Sequence, residues 1–372
     1  MTQIFLIRHG QADGNLYRRC QGQTDTPLST EGLAQLPYLT KRFASLELAC
    51  VYSSDLQRAY TTAKAVVGER SIPLVADARL REIRCGAWEN RAWGNIDYDD
   101  PAMQDAFLHD PARWSVPGAE SFAALEHRLM EALTEIGERH PGETVAVACH
   151  GMAIRTILAA VQGVPSERVS SVTLPSNTGV CLLNYDKGHF AVVCVNDVSH
   201  LPVPPRVPFR DNEPERNTDL RYTPFDTKNG RELYIRCYAD AWRGAHGSLS
   251  GFSADACWQS AVFCAREDPE ALQAAWWGDR FAGVISLDEV RSAPDAGWIS
   301  FLYVVPELRH KTFGTQLLGA AVTRYRELGR PSVRLTVAPT NPALRFYDKM
   351  LFRCIGKIKG VRKDLFLMEK TI

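Results

Sequence analysis

Through the first two hundred residues, short β-branched apolar runs alternate with stretches whose apolar positions recur at helical spacing. Gln3–Ile7 (QIFLI), Cys50–Tyr52 and Thr144–Ala148 (TVAVA) have the continuous hydrophobicity of buried strands, and Thr178–Asn184 and Phe190–Val195 read as further strands. Ser29–Phe43, Ser54–Val67, Ser121–His140 and Met152–Gln162 read as helices. In the third of these Phe122, Leu125, Leu129, Leu133 and Ile136 form one apolar stripe. Strand–helix alternation predicts an α/β domain in three layers, a mostly parallel sheet covered on both faces. Its chemistry belongs at the carboxyl ends of the strands. The pattern then breaks: six prolines fall between Pro202 and Pro224 in a polar stretch without an apolar period. Such a segment is expected to be extended and solvated. Beyond it, Glu232–Tyr238, Phe281–Leu287, Trp298–Val305 and Ser332–Ala338 read as strands. Thr312–Leu328 and Pro342–Met350 read as helices, and Arg353–Met368 as a hairpin-like pair. The expected organisation is a domain over 1–198, a Pro-rich linker over 199–229 and a smaller α+β domain over 230–372.

Composition narrows the class. Of 372 residues, 45% are hydrophobic and 23% charged, which excludes wholesale disorder. Lys+Arg and Asp+Glu both total 43, so no overall field draws nucleic acid or a membrane. The first 200 residues carry 18 basic and 23 acidic side chains, the remainder 25 and 20, a mild asymmetry that hints at different ligands. Ten cysteines without a CxxC argue against zinc or a disulfide framework. With no apolar run of membrane-span length, the expectation is a cytoplasmic protein without a metal site, nucleic-acid partner or membrane anchor.

Arg8-His9-Gly10 follows the first strand and His150-Gly151 follows TVAVAC. Asn15, Arg58 near a helix start, and Glu82 in LREIRCGAWE lie at comparable strand and helix ends, where side chains converge. This set suits phosphoryl transfer. A neutral imidazole can attack phosphorus, fixed cationic donors hold the equatorial oxygens, and a carboxyl group can protonate the leaving alkoxide. Cys149, adjacent to His150 on a strand, is expected to face the packing. His109, His127 and His140 read as surface residues.

RHGQADGN, QGQTDTPLSTEG, SSDLQRAYTTA, LREIRCGAWE and ACHGMAIR resemble the histidine phosphatase (phosphoglycerate-mutase-like) superfamily over roughly residues 1–198. The resemblance implies a phosphoglycerate-mutase-like fold with His9 as the phosphorylated nucleophile. It also implies phosphate binding by Arg8, Arg58 and His150, Glu82 as proton donor, and Gly22 in the substrate loop, while Asn15 is expected from its position to add a donor to the phosphoryl oxygens. Asn90 and Ala119 stand where the family usually has Gly. The short span from Glu82 to His150 is similar to the compact phosphatases and favours hydrolysis over transfer between hydroxyls.

The second half carries Arg309 followed at +5 by Gly314, joining a strand to a helix whose first N–H groups suit a pyrophosphate. With Asn341 and Phe346-Tyr347-Asp348-Lys349, this resembles the GNAT acetyltransferases over roughly 230–372. The resemblance implies acetyl-CoA as co-substrate, held by Val304, Val305, Arg309, Lys311, Gly314, Thr315 and Asn341. Tyr347 would protonate the departing thiolate, and splayed strands would receive the pantetheine. His310, Thr312 and Leu351 stand where Gly is usual, and no Asp or Glu lies on Trp298–Val305 to act as base. Core and loop packing is the expected use of Trp242, Trp258, Trp276, Trp277 and Trp298. The reading is a bifunctional enzyme acting on a phosphorylated small molecule and an amine acceptor. The alternatives are a phosphoglycerate-type mutase, or a phosphatase joined to a silent, CoA-sensing scaffold.

Overall fold

The computed structural model describes residues 1–202, 218–361 and 363–372, without the side chains of residues 166 and 167. The chain divides into two compact units, one from Met1–Arg91 and Ile96–Glu213, the other from Ala92–Asn95 and Pro214–Ile372.

The first unit runs β1 (Thr2–Arg8), α1 (Asp13–Tyr17), α2 (Thr30–Phe43), β2 (Cys50–Ser53), α3 (Gln57–Val67), β3 (Leu74–Ala76), α4 (Trp93–Asp99, in this unit from Ile96 onward) and α5 (Pro101–His109). It continues with α6 (Phe122–Arg139), β4 (Thr144–Cys149), α7 (Gly151–Gln162), β5 (Val180–Asp186) and β6 (His189–Asp197). Its sheet has the order β3-β2-β4-β1-β5-β6, parallel from β3 to β1 and antiparallel in the last two pairings. Helices α2 and α3 bury Leu39, Phe43, Ala63 and Val66 against Ile7, Val51 and Ala146 on the sheet. Helix α6 packs with α7 and against β1 and β5. The apolar stripe of α6 is buried throughout, and Ser121 caps the helix by accepting the Ala124 N–H at 3.2 Å.

Residues 86–120 show no sustained period in the sequence, yet they hold α4 and α5. Trp88, Phe107, Trp114 and Phe122 clamp this region through ring pairs 5.2–5.9 Å apart. Packing of a few large rings, rather than a repeat, supplies the order. His140 departs from the surface expectation. Its Nε2 meets the Tyr52 hydroxyl at 2.9 Å and its Nδ1 meets Glu143 Oε2 at 2.6 Å, leaving the side chain only 12% exposed.

The second unit runs β7 (Arg221–Pro224), α8 (Arg231–His246), α9 (Ala254–Glu267), β8 (Leu272–Trp277), β9 (Arg280–Leu287), β10 (Gly297–Val304) and α10 (Phe313–Glu327). It ends with β11 (Ser332–Val337), α11 (Leu344–Lys349), β12 (Arg353–Ile358) and β13 (Leu365–Thr371). The sheet order is β12-β13-β11-β10-β9-β8-β7, with only β10 and β11 parallel. Two expectations give way here. Glu232–Tyr238 is not a strand but part of α8, because Tyr234 and Cys237 recur at helical spacing and bury one face against Phe301 and Tyr303. The end of the Pro-rich segment is not solvated throughout, since Arg221–Pro224 pairs with β8 and Phe225 is buried. The prolines from Pro204 to Pro214 lie outside the described residues. No helix among the described residues is long and apolar enough to cross a membrane.

Candidate active site

Parallel register builds the first site. Arg8 pairs with Cys149 across β1 and β4, so the residues that follow, His9 and His150, emerge at adjacent strand ends. Their rings lie 5.2 Å apart at 61°. His9 Nδ1 donates to the Gly10 carbonyl at 2.7 Å; a carbonyl can only accept, so the neutral ring keeps its proton there and presents Nε2 as the free lone pair. His150 Nε2 meets Ser54 Oγ at 2.9 Å. Ser54 Oγ also accepts the Leu56 N–H and keeps a second lone pair and its own hydrogen; where that hydrogen goes to His150 Nε2, the ring proton sits on Nδ1.

Arg58, on α3, is fully buried. Its Nη1 and Nη2 donate to the Thr24 and Gly22 carbonyls at 2.7 Å each. Gly22 therefore serves this site through its backbone. It has φ +50, and a Cβ would fall 2.5 Å from Glu89 Oε1. Glu89 holds the same loop by accepting the N–H groups of Gln23 and Cys85. Arg8 Nη1 donates to the Pro175 carbonyl, and its guanidinium lies against Gly151, whose absent Cβ would sit 3.1 Å from Cζ. Arg8 Nε, Arg58 Nε and His150 Nδ1 are all buried without a hydrogen-bond partner among the described residues. Two unpartnered guanidinium N–H groups, and His150 Nδ1 when it carries the ring proton, form a donor set for an anion beside the His9 imidazole.

Asn15 Oδ1 accepts the Ala12 N–H at 3.0 Å, capping α1, so its Nδ2 donors are what it can offer a ligand. Glu82 uses both oxygens at the N-terminus of α7, accepting from Met152 at 3.1 Å and Ala153 at 3.0 Å. Each oxygen keeps a further lone-pair position beside these bonds, so the two amides orient the carboxyl without using it up. Cys149 is buried and burial pushes its thiol up, in keeping with a packing role. The structure thus brings His9, Arg8, Arg58, His150 and Glu82 together. Ser54 and Glu89, which sit inside the quoted motifs without a role assigned from sequence, and Asn177, which lies outside them and whose Nδ2 donates to the His9 carbonyl at 3.0 Å, join them.

Burial, then Arg58 and Arg8, hold His9 well below the ordinary imidazole value. Burial, then Arg58 and His9, do the same to His150. A further positive charge ~5 Å from a guanidinium would cost about 3 kcal/mol at an effective dielectric near 20, so neutrality is favoured. Arg58 is lowered to about 10, chiefly by burial with Glu82 opposing, and remains charged at neutral pH. Depressed imidazoles stabilise the fold above their unfolded value near 6.5, and that contribution is lost as pH falls. Denaturant titration of the chain from pH 7 to pH 5 is therefore expected to show a loss of up to about 1.4 kcal/mol per pH unit per imidazole. His9→Ala should shed one imidazole's share, and a slope unchanged by it would contradict this assignment.

In the second unit, β10 pairs with β11 only from Gly297 to Ile299. Beyond Ile299 the strands part, and the β11-facing edge of β10 past that point has no β11 partner. Helix α10 begins immediately after the Arg309–Thr312 loop, and its cap residue Thr312 makes no side-chain bond to the first amides. A Cβ on Gly314 would lie 3.6 Å from Phe346 and 4.0 Å from Val304, so strand end, helix start and α11 converge there. An opened strand edge and an uncapped helix N-terminus are a donor set that fits an acyl-CoA. Thr315 lies in the first turn of α10, and Val305, whose N–H donates to the Ala282 carbonyl, follows the strand end. Lys311 lies over the Trp277 ring at 5.1 Å.

Arg309 departs from the expected pose. Its Nε donates to the Val304 carbonyl at 3.0 Å and its Nη2 to Asp240 at 2.8 Å. Asn341 is occupied locally, its Oδ1 accepting the Ala343 N–H at 2.9 Å before α11. Tyr347 packs between Phe346 and Phe352 and is pushed up to about 12 by burial, so it holds its proton at neutral pH. His310 and Leu351 adopt φ +61 and +64, the left-handed backbone for which Gly is suited. Trp242 and Trp276 donate to Ser250 and Thr223, and Trp277 packs on Phe313, as expected of packing residues. No group of His, Cys, Asp and Glu among the described residues is arranged to hold a metal ion.

The histidine phosphatase superfamily (branch 1) matches residues 4–198, and the acetyltransferase (GNAT) family matches residues 230–352. The chain belongs to the histidine phosphatase superfamily and carries a GNAT domain in the same polypeptide. The GNAT family uses acetyl-CoA as co-substrate. A relative named "Probable phosphoglycerate mutase GpmB", from Salmonella choleraesuis (strain SC-B67), is 29% identical over 209 residues, spanning 55% of this chain and 97% of its own. Among solved structures, Bacillus stearothermophilus YhfR is 38% identical over 54% of this chain and 99% of its own, with a TM-score of 0.52. A mycobacterial glucosyl-3-phosphoglycerate phosphatase is 26% identical over 52% and 98%, with a TM-score of 0.49.

Proposed function

We propose that the first unit hydrolyses a phosphomonoester of a small molecule through a phosphohistidine at His9 Nε2. The observation that carries this reading is the trio of buried, unpartnered nitrogens on Arg8, Arg58 and His150 around an imidazole whose other nitrogen is tied to Gly10. In the first step Nε2 forms a bond to phosphorus as the ester P–O bond breaks, and Glu82 gives the departing oxygen its proton. Arg8, Arg58, His150 and Asn15 stabilise charge on the equatorial oxygens. In the second step water attacks the same phosphorus, loses a proton to Glu82, and His9 leaves as the neutral ring. The relative's name raises transfer between two hydroxyls as a second reading. Product analysis with a phosphorylated hydroxy acid separates them: inorganic phosphate accumulates under hydrolysis, and a positional isomer under transfer.

For the second unit, we propose acetyl transfer from acetyl-CoA to an amine. Support comes from the opened β10 edge, the uncapped start of α10 and the convergence of Val304, Gly314 and Phe346. Bound there, acetyl-CoA would supply an activated acyl group. Tyr347 would hold a proton for the departing sulfur, and the backbone of β10 would orient the pantetheine. Saturating acetyl-CoA should raise the melting temperature of the second unit within the full chain; a ligand at a hundred times its Kd stabilises by about 2.7 kcal/mol. An unchanged transition would contradict the assignment and leave a scaffold.

A further inference from the structure

Asp240 lies on α8 beside the opened part of β10. Its Oδ2 accepts from the Tyr303 hydroxyl and from Arg309 Nη2, both at 2.8 Å, whereas Oδ1 accepts no hydrogen bond among the described residues. The carboxylate is 39% exposed, so one oxygen is pinned and the other is open. Arg309 Cζ also lies 5.4 Å from the centre of the Tyr303 ring. A carboxylate beside an aromatic face is a cation site, and here a cation of the protein's own chain fills it.

The position of this corner gives it meaning. Tyr303 stands four residues past Ile299, where β10 loses its β11 partner, so the corner borders the gap suited to the acyl donor. Phe301 faces the same way and stacks on Tyr238 at 4.3 Å, giving an apolar wall next to the carboxylate. No acidic residue lies on Trp298–Val305 itself; Asp240 brings one to that strand from a helix. A half-exposed pair such as Arg309–Asp240 is weak, so the arginine can exchange partners.

We propose that the Asp240–Tyr303 corner is the subsite for the ammonium group of a primary-amine acceptor, and that Arg309 occupies it as an internal stand-in until it turns toward an anionic co-substrate at the start of α10. The inference rests on the acetyltransferase reading and adds to it the residues that receive the acceptor's charged group and the arginine that competes for them. It also makes the two ligands cooperative. When Arg309 leaves Asp240, the carboxylate's charge is no longer offset and is open to the incoming ammonium, and by linkage the amine favours the released arginine.

The test is calorimetric titration of the full chain with coenzyme A and with phenethylamine, each alone and in the presence of the other. In the wild-type protein each ligand is expected to tighten the other about five-fold. Asp240→Asn should bind coenzyme A about three- to ten-fold more tightly, because Arg309 is no longer held, and the coupling should vanish. Tyr303→Phe keeps the ring and the packing; it should weaken phenethylamine while leaving coenzyme A within about two-fold. Unchanged coenzyme A affinity or retained coupling in Asp240→Asn would overturn the inference while the acetyltransferase reading stands. So would failure of phenethylamine to bind the coenzyme A complex. Failure of coenzyme A to bind either protein would overturn both.

Discussion

His9→Ala is expected to reduce hydrolysis of p-nitrophenyl phosphate by at least about a thousand-fold while the chain stays folded. The imidazole is the one group of the cluster whose free lone pair is fixed by a bond on its other nitrogen, Nδ1 to Gly10. Nothing else nearby replaces it. Cys149 is buried with its thiol pushed up, and His150 Nε2 is engaged with Ser54. The substitution leaves the backbone bonds of His9 to Cys149 and Thr178 in place, so the melting transition should move by only a few degrees. Steady-state turnover with a parallel thermal scan checks both parts. Retained turnover would mean that phosphorus is attacked by another group or directly by water.

Arg58→Lys is expected to lose about two to three orders of magnitude in kcat/KM, although it conserves formal charge. Arg58 spends two nitrogens on the Gly22 and Thr24 carbonyls and keeps Nε unpartnered. A single ammonium cannot span two carbonyls and a phosphate oxygen in one plane. Burial already lowers the guanidinium to about 10, and the same desolvation would lower a lysine from a less basic starting value. Leaving a buried carbonyl without its donor costs a further 1–3 kcal/mol or so of stability. The kinetic loss should appear in kcat as well as KM, because charge on the phosphoryl oxygens grows toward the transition state. An activity within ten-fold of wild type would show that Arg58 supports the loop without touching phosphate.

The first unit was largely legible because its chemistry follows its strands. A parallel sheet sends its functional side chains from strand ends, so Arg8-His9 after QIFLI and His150 after TVAVAC identify themselves by position. The roles of the groups that tune them were not legible, even where the residues sit inside a quoted motif. Ser54 and Asn177 act through single hydrogen bonds across 96 and 168 residues, and no local pattern encodes such pairings. Glu89 holds its loop through backbone amides, which have no sequence signature of their own. In the second unit, ELYIRCY satisfied a strand's composition while its buried positions, Tyr234 and Cys237, obeyed a helix's period, and the period prevailed. Arg309 was legible as a motif residue but not as the partner of Asp240, because a long side chain chooses its acid only after folding.

The central claim, that phosphorus is carried covalently on His9, is tested most directly by mixing the intact chain with radiolabelled phosphomonoester, quenching in alkali within one turnover and locating the label by peptide mass spectrometry. The account predicts an acid-labile, alkali-stable phosphoryl group on Nε2 of His9. Label on another residue, or phosphate released with no labelled protein at any time point, would contradict it.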